Sequence, residues 1–242
     1  MDGMAVSRQL EESLNSAPEA LAAPSQQATW QGAARQTAAP RTAAQRSNQL
    51  ALTAAGYMSW RARSLSLLTG TSCSLEREAG LFMALCRPQA GQQWLDMGTS
   101  GAYYAGLLSG VGATVLACDL SPAMLKVAEK REVGPLIDYA LLDAEATGLP
   151  SASFDGVSIG ATLNETSSAP AMLREASRLL RAGGQLWIMY LGRNGGASQA
   201  LLSRLGGLNF PDPAQLGGWL PDMQRRDLLR LREVVFERWV RV

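Results

Sequence analysis

Asp96, Asp119 and Asp143 each close an apolar, strand-like run: QQWLD, ATVLACD and IDYALLD. Asp119 follows Gly98 by twenty-one residues. In an open α/β sheet, ligands bind beyond the C-terminal ends of the strands, where acids in such positions face the crevice. A carboxylate there can accept from the two hydroxyls of a ribose or attract a cation. Three like charges converging on one crevice are costly unless water or a ligand faces them. Small residues follow Asp96 in MGTSGAYYAG and feed a predicted helix, the layout of a nucleotide-type pocket.

Two ligand classes fit an acid that takes a ribose diol. A dinucleotide needs Gly-x-Gly-x-x-Gly opening a helix, so that its pyrophosphate lies against the helix N-terminus. Here that frame reads Gly98, Ser100, Tyr103. Tyr103 opposes close helix–strand packing, and Asp96 puts negative charge beside the pyrophosphate position. S-adenosylmethionine reverses the electrostatics, because its amino and sulfonium groups are cationic and it carries no phosphate.

Composition narrows the chemistry further. The sequence contains no histidine, which excludes a His-dependent triad or a His-liganded metal centre made by these residues alone. Cys73, Cys86 and Cys118 are too widely spaced for a zinc or iron–sulfur pattern, so no metal site is expected. A net charge of +1 gives no global attraction to nucleic acid or acidic lipid. No apolar run reaches membrane-spanning length. The opening residues, interrupted by Glu11, Glu12 and Glu19, read as neither a secretory leader nor a transit peptide, and a cytoplasmic location is the expectation.

The elements that must position these acids are legible from Gln49 onward. Residues 1–49 are rich in Ala, Gln, Ser, Thr and Pro, and they read as a low-complexity, disordered tail ahead of one domain over 50–242. LALTAAGYMSWRARSLSLL carries helical spacing. In SLEREAGLFMALC, Ser74 is placed to cap, Glu76 and Glu78 occupy the favourable first turn, and Leu75, Ala79, Phe82 and Cys86 make the apolar stripe. Strands and helices then alternate: Gln93–Met97, a helix from Tyr103, ATVLACD, a helix opened by Pro122, LIDYALLD and FDGVSIGA. The helix SAPAMLREASRLLRAGG buries Met172, Ala176, Leu179 and Leu180 and ends at Gly183, before the strand GQLWIMYL. The terminal RDLLRLREVVFERWVRV predicts two more strands. Its arginines alternate with Asp227, Glu233 and Glu237 and are read as a solvated surface. This alternation implies an open α/β sheet with helices on both faces.

Four blocks in order, WLDMGTSGA, ACDLSPAMLKVA, LLDAEATGLPSASFDGV and LREASRLLRAGGQLWI, resemble the class I S-adenosylmethionine-dependent methyltransferases, in the small-molecule group near the quinone-biosynthesis enzymes. The resemblance covers some hundred residues. It implies a doubly wound, Rossmann-like, seven-stranded sheet with an antiparallel last strand. It further implies that Asp96 faces the methionine amino group and that Gly98 lets backbone approach the carboxypropyl portion of the cofactor. Asp119 takes both ribose hydroxyls, Leu120 packs on adenine, and Asp143 with the Ala144 backbone meets the adenine amine. Residues Gly160 through Glu165 border methionine and acceptor. The family's Asp-x-Gly-x-Gly-x-Gly becomes Asp96, Gly98, Ser100 and Ala102 here, and Gly101 is expected to take up part of the backbone demand.

The reaction so implied is transfer of a methyl group from S-adenosyl-L-methionine to a small, hydrophobic or aromatic acceptor. Glu165 and Tyr190 are candidate bases, and Asn164 is a candidate hydrogen-bond donor to the acceptor. Tyr103 and Tyr104 are candidates for the same work, while Tyr57, Trp60 and Arg61 on one side, with Phe210 and Trp219 on the other, are candidate lid residues. Two alternatives stay open. One is a catalytically silent protein of the same fold that binds or scaffolds; the other is an NAD(P)-dependent oxidoreductase, disfavoured by Asp96 and Tyr103. Nucleic acid is not an expected partner: no basic stripe and no Asn/Asp-Pro-Pro-Tyr motif is present.

Overall fold

A computed structural model describes residues 39–69 and 74–242, except that the side chains of Met58, Trp60, Ser64, Leu65, Leu67, Leu68 and Thr69 are outside the described part. Of the segment read as a tail, residues 1–38 therefore lie outside the described residues. Residues 43–47 of that segment form a short helix, α1 (Ala43–Ser47). Thr42 caps it reciprocally with Gln45: the Thr42 hydroxyl accepts from Gln45 N–H, and the Gln45 side chain accepts from Thr42 N–H. Two further helices, α2 (Ala51–Thr69) and α3 (Leu75–Cys86), precede the sheet.

The sheet has seven strands in the order β3-β2-β1-β4-β5-β7-β6. These are β1 (Gln93–Met97), β2 (Thr114–Asp119), β3 (Ile137–Leu141), β4 (Phe154–Ile159), β5 (Leu180–Leu191), β6 (Met223–Leu231) and β7 (Val234–Arg241). β1 to β5 pair in parallel, and only β7 runs against its neighbours β5 and β6. The strand order reverses between β1 and β4, so right-handed crossovers place helices on opposite faces of the sheet and open a crevice at that point. The crossovers are α4 (Tyr103–Gly110), α5 (Pro122–Arg131), and the pair α6 (Thr162–Glu165) and α7 (Ala169–Leu179). After β5 come α8 (Ala197–Gly206) and the single turn α9 (Leu216–Trp219). No helix among the described residues is long and apolar enough to cross a membrane.

The core on one face is aromatic. Phe82 of α3 meets Trp94 of β1, Tyr104 of α4 and Trp187 of β5 at centroid distances of 5.7, 5.0 and 5.6 Å. Gly156 on β4 makes room for this packing, since a Cβ there would lie 2.5 Å from the Trp94 ring. Two details depart from the sequence reading, and one adds to it. Glu78 keeps its expected first-turn place and is fully buried. It accepts from Arg61 at 2.6 Å and from Tyr104 Oη at 2.5 Å, because α2 and α4 close over its turn of α3. Glu237, expected on a solvated surface, is also fully buried, held by Tyr190, Trp239 and Arg225. Finally, α7 ends at Leu179, and Gly183 lies inside β5, where Leu180 pairs with Phe154 across a register shift.

Candidate functional site

The C-terminal ends of β1 and β2 are built around the Asp119 carboxylate. Ser100 N–H donates to Oδ2 at 2.9 Å, and Ser121 N–H donates to Oδ1 at 2.8 Å. The Cys118 carbonyl accepts from Gly98 and Thr99 N–H at 2.9 and 2.8 Å, locking the loop after β1 onto the end of β2. Burial pushes the Asp119 carboxyl up to about 6, against the pull of these backbone donors. Each oxygen keeps a further lone pair. Held in this way, the carboxylate can accept two neighbouring hydroxyls at once.

The loop from Gly98 to Ala102 is tight. Gly98 sits at φ +71°, and a Cβ on it would fall 2.3 Å from Thr162 Cγ2. Thr162 Oγ1 donates to the Gly98 carbonyl at 2.9 Å, which brings α6 against the loop. Ser100 (φ +49°) and Ala102 (φ +58°) also adopt the left-handed conformation, whereas Gly101 is not among the residues with positive φ. The backbone demand therefore falls on the two non-glycine residues and not on Gly101. The reason is register: the alternate positions of the turn, 98, 100 and 102, are the ones that bend left.

Asp96, two residues upstream, is 2% exposed. Thr99 Oγ1 and Ser158 Oγ donate to its two oxygens at 2.6 and 2.8 Å. Burial raises its carboxyl to about 6, with those two hydroxyls opposing the shift.

Two adjoining hollows lie over these strand ends, sharing Gly98, Ser100 and Thr162. The larger spans about 530 Å³ of unfilled space, open solvent at its mouth included, and is bordered by Asp119, Leu120, Leu142, Asp143, Ala144 and Glu165. The smaller, about 340 Å³, is bordered by Tyr57, Arg61, Asp96, Gly101, Tyr104 and Gly160. The structure thus brings together Asp96, Gly98, Ser100, Gly101, Asp119, Leu120, Asp143, Ala144, Gly160 and Glu165. Leu120 and Leu142 give the larger hollow apolar walls. Glu165, at the end of α6, is pushed up to about 7, first by burial and then by the Asp119 charge, while Asn48 and Arg61 act in the opposite sense. Tyr57 is raised to about 12 by burial, with Glu165 adding to the shift.

Other candidates lie elsewhere. Asn164 brackets the chain, donating from Nδ2 to the carbonyls of Leu191 (2.8 Å) and Asn209 (2.6 Å) and accepting from Leu191 N–H at 2.8 Å. The Tyr190 hydroxyl donates to Glu237 Oε1 at 2.6 Å inside the core. Neither side chain borders the two hollows, because the strand and helix faces that carry them turn inward. Tyr103 borders the smaller hollow, but its hydroxyl bonds the Leu75 carbonyl. Arg61 is tied to Glu78. Phe210 and Trp219 border a separate groove with Arg193 and Pro211, and the Trp60 side chain is outside the described part.

Sequence reasoning missed Gln45, Asn48 and Gln49, which border the larger hollow from the N-terminal side; Thr162, inside the expected Gly160 to Glu165 stretch, fills the space over Gly98. The Thr42-x-x-Gln45 capping pattern was the available signal for an ordered turn there. Nothing local marks Asn48.

The site's charge suits a cationic ligand. Asp96, Asp119, Asp143 and Glu165 all border the two hollows, and the nearby cations are engaged: Arg61 by Glu78, and Arg41 by Asp143 and Glu145. A pyrophosphate would meet carboxylates here, whereas a ribose joined to an ammonium and a sulfonium would meet acceptors.

Comparison with known proteins agrees with this geometry. A family described as "Methyltransferase domain" matches residues 95–188. A ubiquinone biosynthesis O-methyltransferase of Xanthomonas oryzae is 31% identical over 172 residues, covering 62% of this chain and 69% of the relative. One from Thiobacillus denitrificans is 36% identical over 123 residues, 49% of this chain, and the chain spans 52% of that relative's length. Among solved structures, an S-adenosylmethionine-dependent methyltransferase from Mesorhizobium loti superposes with a TM-score of 0.60 at 15% identity. That match covers 69% of this chain and 98% of the other, and it speaks for the fold alone.

Proposed function

This chain belongs to the class I S-adenosylmethionine-dependent methyltransferases, related to the ubiquinone-biosynthesis O-methyltransferases, and from that premise we propose that it methylates a hydroxyl of a small, aromatic, phenol-like molecule. The observation that carries this reading is the placement of Asp119 and Glu165 on one cavity: a carboxylate shaped for a ribose, and a second one that holds its proton up to about 7.

In this reading Asp119 accepts from both ribose hydroxyls, and Leu120, Leu142 and Ala144 flank the adenine near Asp143. Asp96 lies toward the methionine amino group, with Gly98, Ser100, Gly101 and Gly160 close to that end. When bound, S-adenosylmethionine supplies a methyl group already activated by its sulfonium. Glu165 takes the proton of the acceptor hydroxyl as the new C–O bond forms and the C–S bond breaks, leaving a neutral thioether and a neutral carboxyl group. A base near 7 is matched to that task, since about half of it is ionised at neutral pH and the ionised form is still basic enough to accept the proton. Tyr57 and Tyr104 wall the smaller hollow and suit an aromatic acceptor. The relatives' names point to oxygen as the acceptor atom. A cytoplasmic site of action is part of the same reading.

Calorimetry with S-adenosylmethionine, S-adenosylhomocysteine and NAD, followed by methyl transfer to a panel of catechols and hydroxyquinones, tests it. Micromolar-range affinity for the first two, none for NAD, and turnover on a phenolic acceptor are expected. Tight cofactor binding without turnover on any acceptor would favour the silent-protein alternative.

A further inference from the structure

Residues 41–49 wrap over the larger hollow and touch three of its edges. At the β3 edge, Arg41 forks across two carboxylates, Nη2 to Asp143 Oδ2 at 3.1 Å and Nη1 to Glu145 Oε2 at 2.8 Å. At the β2 edge, Gln49 Nε2 donates to the Leu120 carbonyl at 3.3 Å, and Ser121 Oγ donates to the Asn48 carbonyl at 2.6 Å. At the α6 edge the segment grips Glu165 at both ends: Thr42 Oγ1 donates to its carbonyl at 3.1 Å, and Asn48 Nδ2 donates to its carboxylate Oε2 at 2.7 Å.

We propose that this segment is a strap that completes the site, with Arg41 as its clamp and Asn48 as the positioning residue that aims the Glu165 carboxylate. The inference rests on the reading of Glu165 as the base, and it adds the part of the chain that makes Glu165 usable.

The clamp follows from charge. Glu145 is held by Thr166 Oγ1 at 2.6 Å and by the Ser167 and Ser168 N–H groups at 2.7 and 3.1 Å, and Asp143 accepts from Glu145 N–H at 2.9 Å. Two fixed carboxylates side by side repel, and Arg41 bridges both, offsetting one of the two negative charges. Because Arg41 is half-exposed, the clamp is weak enough to open and sensitive to salt. The positioning role follows from the partner set. Among the described residues Asn48 donates a hydrogen bond to the Glu165 carboxylate, whereas Tyr57 and Arg61 from α2 and Asp119 from β2 act on it through their charges. An open strap frees the cavity and leaves Glu165 unaimed. A docked strap covers the cavity and orients the base, so proton transfer is set up only when water is excluded.

The test uses the full chain with 13C-carboxyl glutamate, the Glu165 signal being assigned by its loss in Glu165→Gln. Asn48→Ala removes a donor to the ionised form and should move the Glu165 titration midpoint upward by about one pH unit. Asn48→Asp, similar in shape but a second carboxylate, should move it further. Arg41→Ala should speed both uptake and release of S-adenosylhomocysteine, by roughly three- to tenfold, with little change in their ratio. High salt should do the same to the wild type and add nothing to the variant. A Glu165 midpoint unmoved by either Asn48 substitution overturns the positioning role, and rates untouched by Arg41→Ala overturn the clamp. If S-adenosylhomocysteine binds neither wild type nor variant, the functional reading fails, and the Glu165 titration alone then decides whether the strap positions it.

Discussion

Ser100 donates its backbone N–H to Asp119 Oδ2 at 2.9 Å from a left-handed conformation, φ +49°. The bond that shapes the ribose acceptor is therefore made by a residue that pays a conformational penalty to reach it. A non-glycine residue in that region costs about 1–2 kcal/mol. Part of this cost returns through the smaller entropy of the unfolded chain. Ser100→Gly should therefore raise stability by up to about 1 kcal/mol, read from urea unfolding at constant slope, and should keep cofactor affinity at or above wild type. A destabilised Ser100→Gly would mean that the serine side chain, not its backbone, holds the loop.

Asp119→Ala should reduce S-adenosylhomocysteine affinity by about a hundredfold or more, since two hydrogen bonds to a charged group are lost together. Circular dichroism should show the sheet intact. Unchanged affinity in calorimetry would remove the ribose assignment.

Asp96, Asp119 and Glu165 are held at about 6, 6 and 7, above their values in an unfolded chain, chiefly by burial. Between about 4 and 7 the folded protein then binds more protons than the unfolded one. The contribution of these groups to stability is complete below about 4 and is lost as pH rises through 6 to 7. Without cofactor, the urea midpoint should fall between pH values of about 5 and 7.5, and Asp119→Asn should flatten that slope. Affinity for the cationic cofactor should run the opposite way, strengthening as Asp96 and Asp119 ionise near 6. A midpoint that rises over this interval would contradict the burial of these carboxylates.

Tyr190→Phe should cost about 1–3 kcal/mol in stability, because it takes one hydrogen bond from a fully buried Glu237 carboxylate. It should leave both cofactor affinity and the pH profile of methyl transfer in place. A Tyr190→Phe variant of normal stability but with a displaced pH optimum would return Tyr190 to the list of bases.

The sequence alone determined the sheet and the end of it that matters. Apolar runs closed by Asp96, Asp119 and Asp143, with helical periodicity between them, suffice for a parallel sheet, because strand burial and helix amphipathicity are local patterns. The antiparallel last strand came with the family resemblance rather than from periodicity. Tertiary structure decided what each charged or polar side chain faces. Glu237 read as a surface charge and became a core group, and Glu78, read only as a first-turn acid, is buried as well, since burial depends on what packs opposite. Asn164 and Tyr190 read as site residues and turned inward for the same reason. Asn48 and Arg41 sit in a low-complexity stretch, and they reach Glu165, Asp143 and Glu145 across a hundred or more residues of chain, a separation over which composition and spacing carry no information.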